Sequence, residues 1–143
     1  MSNLDVNELL KSLDNEDNAF LMSETKEKIH SKNNNMLQKL QLDSENLKSF
    51  NKKLKNYRYV EDLSHLKYGI HIRWIRLTNP DNINLTNGGI LLDIKYTEKG
   101  CNILCKNYKN RCFQFRFDEC MIFQKITDQE NILLDVLSYL EKN

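Results

Sequence analysis

The chain has 143 residues, with 21 Lys or Arg against 20 Asp or Glu, a formal charge of +1 and 40% hydrophobic residues. That length leads us to expect one folded domain, and the near-cancelled charge excludes the whole-chain signature of a strongly basic nucleic-acid coat protein or an acidic tail. With 4 Gly and 1 Pro the chain is poor in breakers, which favours helices wherever β signals are missing.

Residues 1–56 show no β alternation and read as a helical N-terminal region, partly mobile. Ser2 and Asp5 resemble a capping box for a helix carrying Leu4, Leu9, Leu10 and Leu13, ended by the polar segment 14–18. A short helix is expected over 23–30. The run Lys32-Asn33-Asn34-Asn35 carries no functional weight at this level. Met36, Leu37, Leu40, Leu47, Phe50 and Leu54 recur at helical spacing, with Asp43 interrupting the stripe, and predict one long amphipathic helix. Three roles are open to that stripe: packing as core, pairing with a partner or a second copy through Leu40, Leu47, Phe50 and Leu54, or serving as an arm.

Residues 57–143 read as a second unit, a small β-module with a C-terminal helix. After Tyr57–Val60 and a helical turn near Leu63–Leu66, period-2 alternation predicts strands over 70–77, 90–96, 101–106, 112–117 and 121–123. Trp74, Phe113, Phe115 and Phe117 fall on the faces expected to point inward. Asn87-Gly88-Gly89 reads as a hairpin or bulge, since a strand rather than a helix follows it. Thr127 and Glu130 make a capping box for a helix burying Ile132, Leu133, Val136, Leu137 and Leu140. The fold class expected is α+β: a five-stranded antiparallel barrel or bent sheet, analogous in architecture to Tudor and KOW barrels, with N-terminal helices and a closing helix.

Candidate chemistry is sparse. Cys101, Cys105, Cys112 and Cys120 lie within twenty residues, but their gaps do not form zinc knuckles, so buried thiols are the expected state and no metal or other cofactor is called for. His30, His65 and His71 sit in different elements without a nucleophile or orienting carboxylate, and the expectation is a protein that is not an enzyme and has no small-molecule substrate. No apolar run approaches the ~18 residues of a membrane span, and Met-Ser-Asn-Leu-Asp lacks a signal-peptide layout. A soluble protein of a reducing compartment is therefore expected, not a membrane protein.

Charge is uneven along the chain. Between Arg58 and Phe117 ten basic residues face five acidic ones, and Lys48, Lys52, Lys53 and Lys55 would extend the positive surface if the long helix ended beside the β-module. Tyr57, Tyr59, Tyr68, Trp74, Tyr96 and Tyr108 interleave with these cations, the ingredients of a single-strand-binding surface. Arg73, Arg76, Lys106, Lys109, Arg111 and Arg116 are the candidate nucleic-acid contacts.

The runs Gly69–Ile75, Leu85–Ile90 and Ile122–Glu130 resemble small, uncharacterised proteins of nucleocytoplasmic large DNA viruses, over residues 58–140. The resemblance implies a viral setting, host cytoplasm or virion, and transfers no activity or site. The function expected from the sequence is a non-catalytic protein-protein interaction or assembly module, with a nucleic-acid-binding adaptor as the alternative.

Overall fold

The computed structural model describes residues 6–142; the capping box at Ser2 and Asp5, and Leu4, lie outside them. Along the chain come α1 (Val6–Asp14), a 3-10 segment (Glu16–Leu21), α2 (Lys26–Gln38), α3 (Ser44–Lys53), β1 (Tyr57–Tyr59), a 3-10 turn (Leu63–His65), β2 (His71–Arg76), β3 (Gly89–Thr97), β4 (Gly100–Lys106), β5 (Cys112–Arg116), a 3-10 turn (Phe117–Glu119), β6 (Cys120–Lys125) and α4 (Asp128–Lys142). The strands form one antiparallel six-stranded sheet in the order β1-β6-β2-β3-β4-β5.

The sheet is open and bent, which corrects the barrel alternative and the count of five strands. Within the sheet, β2 and β3 share only the pairs His71↔Ile90 and Ile72↔Gly89 before diverging. Beyond that point β2 is satisfied by a loop, with Thr86 donating its N–H to the Trp74 carbonyl at 3.0 Å and Ile75 bridging Leu85. The sheet bends so strongly there that the Trp74 ring stacks on Phe115 of β5, three strands away, at 4.4 Å between centroids. The edge strands β1 and β5 nevertheless do not pair with each other among the described residues.

The two edges are treated differently. On β1, the Asn33 amide of α2 donates to the Tyr57 carbonyl at 2.8 Å and accepts from the Tyr59 N–H at 2.9 Å, so a side chain completes the ladder. Asn33 is buried, which gives one member of the asparagine run a structural role its sequence context did not suggest. Edge strand β5 pairs with β4 alone among the described residues.

Alternation along β2 and β6 separates two apolar layers. Ile72, Trp74 and Ile122 join Leu91, Ile103, Cys105 and Phe115 inside the bend. Ile75, Met121 and Phe123 face the other way and are covered by Leu37, Phe50 and Leu54 of the helices. A third cluster, Leu21, Ile29, Ile126, Leu133 and Leu134, ties the 3-10 segment, α2 and α4 together.

The amphipathic stripe is therefore core: Phe50 and Leu54 are buried, and Leu40 and Leu47 pack against the same cluster. It is also two helices rather than one. Gln41 adopts φ +55°, and the Asp43 carboxylate accepts from the Asn46 N–H at 2.7 Å, so the residue that interrupted the stripe is the N-cap of α3. At the C-terminus the capping box forms as expected, with the Glu130 N–H donating to Thr127 Oγ1 at 3.1 Å. The helix is rotated from its expected face: Glu130, Leu133 and Leu134 are buried, whereas Leu140 is 62% exposed. Glu130 lies on this buried face, where its carboxylate meets Arg58 and Lys67.

Candidate nucleic-acid interface

The bend leaves a groove of about 660 Å³ at the β5 side of the molecule, floored by Trp74 and Phe113. One wall is the β4–β5 turn. There the Asn107 side-chain oxygen accepts from the Lys109 and Arg111 N–H groups at 2.9 and 3.0 Å, and Asn110 takes φ +62°, so the turn is locked and Tyr108 and Lys109 project outward. Tyr108 is 85% exposed. Beside that turn, Asn87-Gly88-Gly89 also lines the groove, and its glycines are required by contact. A Cβ on Gly88, at φ +80°, would lie 1.9 Å from the Ile72 carbonyl oxygen, and one on Gly89 would lie 2.6 Å from that of Lys106.

A second groove of about 390 Å³ adjoins the first and shares Trp74, Thr86 and Phe113 with it. It adds Arg76 and the amides of Asn79, Asn82 and Asn84. Phe113 is 42% exposed where the two meet, so it departs from the inward role expected of it. Trp74 and Phe115 are buried as expected, and Phe117 packs partly buried against the same core. Lys106, Lys109 and Arg111 line the larger groove, neither groove is lined by a carboxylate among the described residues, and none of these three cations has an ion-pair partner there.

The structure thus gathers four of the six candidate cations, Arg76, Lys106, Lys109 and Arg111, around one continuous depression. Arg73 lies on the opposite face of β2, where its Nε donates to the Thr86 carbonyl at 2.8 Å. Arg116 stands apart in a cleft with Glu98 and Lys99, held by Asp118 at 3.1 Å and Glu119 at 3.7 Å. Lys48, Lys52 and Lys53 belong to α3, which covers the face of the sheet opposite Trp74.

Arg58, counted among the surface cations from the sequence, is 2% exposed. Its guanidinium makes a two-pronged bond to Glu130, Nε to Oε1 at 2.9 Å and Nη2 to Oε2 at 3.1 Å, while Nη2 also donates to Gln124 at 3.2 Å. Lys67 approaches the same carboxylate at 2.5 Å and donates to Asn18. The Phe20 ring covers Arg58, 4.8 Å from the guanidinium carbon, and stacks on His65. Burial pushes the Glu130 carboxyl up, but the bonds and charges of Arg58 and Lys67 outweigh it and hold the carboxyl below its ordinary value. This cluster anchors α4 to β1. Sequence offered no pointer to it, because a Glu at the third position of a capping box already has a local explanation.

His71 lies at the inner end of the groove, its Nδ1 2.8 Å from the Tyr57 hydroxyl. Burial, then the Arg73 and Lys125 charges, hold its pKa below the ordinary 6.5. Of the thiols, Cys105 and Cys120 are buried and pushed up to about 11 by that burial, Cys101 is half-buried and Cys112 is exposed. Among the described residues, no three His, Cys, Asp or Glu side chains converge as metal ligands, and no helix is long and apolar enough to cross a membrane.

The fold and site define an α+β protein with an open antiparallel sheet and a basic, aromatic-floored groove. No family model matches this chain, nor does any curated protein or solved structure.

Proposed function

We propose that this protein is a non-catalytic nucleic-acid-binding module that uses the groove beside β5. The observation that carries the reading is the convergence of Lys106, Lys109 and Arg111 with Tyr108 and Phe113 in one depression lined by no acid among the described residues. Unpaired cations around exposed rings suit a polyanion whose repeating units also have flat apolar faces. The resemblance to proteins of nucleocytoplasmic large DNA viruses supports a viral setting for it, in virions or in the cytoplasm of the host.

Fluorescence anisotropy with labelled DNA and RNA oligonucleotides tests the proposal. Three phosphate contacts predict a fall of log K with log salt of slope about −2 to −3. Replacing Lys106, Lys109 and Arg111 by Ala should abolish measurable binding, while replacing Arg116, already occupied by Asp118 and Glu119, should change it little. Equal binding by wild type and the triple variant would assign the affinity elsewhere.

An assembly role is supported by a different face from the one the sequence suggested. Val6, Leu10 and Leu13 of α1 and Leu140 of α4 are exposed apolar side chains on two helices that pack together. Light scattering on the full chain and on Leu10→Glu tests this: a dimer reduced to a monomer by the substitution supports self-association, and a monomer in both cases removes it.

A further inference from the structure

We infer that the groove takes an unpaired strand and receives its bases, one stacked on Tyr108 and the next laid against Phe113 over Trp74; this rests on the nucleic-acid reading above. The cations alone would suit any phosphate backbone, duplex included. Placement of the rings decides between them. Phe113 lies on the floor, 42% exposed, with Trp74 supporting it at 6.4 Å between centroids. A paired base shows only its edge to a groove-side protein, so its ring cannot reach such a floor unless it leaves the helix.

Tyr108 extends the same path outward, and Lys109 sits over its ring at 5.6 Å, which places a cation for the phosphate beside a ring for the base. A volume of about 660 Å³ falls within the roughly 300–1,000 Å³ that accommodates flat, drug-sized molecules. The adjoining recess offers the side-chain amides of Asn79, Asn82 and Asn84, groups that both donate and accept, where an unpaired base edge would lie.

Trp74 is the only tryptophan of the chain and borders both recesses, so its emission reports on occupancy of the floor. The experiment is a low-salt titration of the full protein, followed by Trp emission and by anisotropy. Three probes are used: an unstructured single strand about ten nucleotides long, an abasic strand of equal length, and a stable hairpin duplex. The expected result is tight binding of the single strand with quenching of Trp74, and binding of the abasic strand weaker by at least about fivefold without quenching. The hairpin should also bind more weakly than the single strand. Tyr108→Ala, a change at an exposed turn that leaves the core untouched, should weaken the single strand by about fivefold or more while leaving the salt slope and the abasic affinity unchanged.

Hairpin or abasic strand bound as tightly as the single strand, with Trp74 unperturbed, would overturn the base-stacking assignment and leave the nucleic-acid reading standing. Failure of all three probes to bind would overturn both.

Discussion

Glu130 shows how one residue can serve two purposes that the sequence displays only singly. Its spacing from Thr127 announces a helix start, and the structure adds a fully buried carboxylate facing Arg58 and Lys67. Glu130→Gln leaves those cations without their counter-charge, and chemical denaturation at pH 7 should show a loss of about 3–5 kcal/mol. The folded carboxyl sits below its ordinary 4.5, so its contribution is complete above that value and is lost as pH falls through the folded pKa. The gap between wild type and Glu130→Gln should therefore close in acid. His71 is depressed for a different reason, burial followed by the neighbouring charges of Arg73 and Lys125. Its contribution is likewise complete above 6.5 and lost as pH falls through the lower folded value. NMR titration should place His71 below 6.5, and Arg73→Ala should move it upward.

At the level of elements, turn chemistry was readable and helix continuity was not. The Asn87-Gly88-Gly89 segment was recognisable as a bulge or hairpin from residue type, but which carbonyls crowd it depends on β2 and β4. That contact separates two glycines of similar φ. Gly69, at φ +79°, has open space around the position of an added Cβ, so Gly69→Ala should cost only the strain of a left-handed residue, about 1–2 kcal/mol. Gly88→Ala meets the Ile72 carbonyl as well and should cost clearly more in the same urea titration. It should also disturb the groove, where Gly69→Ala should not. The long helix was misread because its apolar spacing continues across Asp43, and periodicity cannot tell a gap in a stripe from an N-cap. The reversal at Gln41 and the bond from the Asn46 N–H to the Asp43 carboxylate distinguish them.

Across the whole molecule, the helices and the sheet complete each other. Ile75, Met121 and Phe123 are covered by Leu37, Phe50 and Leu54, and the outer edge of β1 is completed by Asn33. A chain beginning at Asn56 would expose that apolar face and a free strand edge together. It should lose its cooperative thermal transition or aggregate on size-exclusion chromatography, where the full chain should elute as a discrete species. A well-folded, soluble fragment would show that the bent sheet is stable without its helical cover.

The amino-acid sequence by itself determined the α+β class, most strand positions, the capped C-terminal helix and the cations that border the groove, because alternation, capping and turn residues are local and leave a local record. Tertiary structure alone decided that the sheet stays open, that Arg58 is buried while Lys106, Lys109 and Arg111 are not, and that Phe113 meets solvent. Those outcomes depend on which distant element arrives opposite each residue: Glu130 meets Arg58 across 72 positions of chain, and no periodicity encodes that meeting.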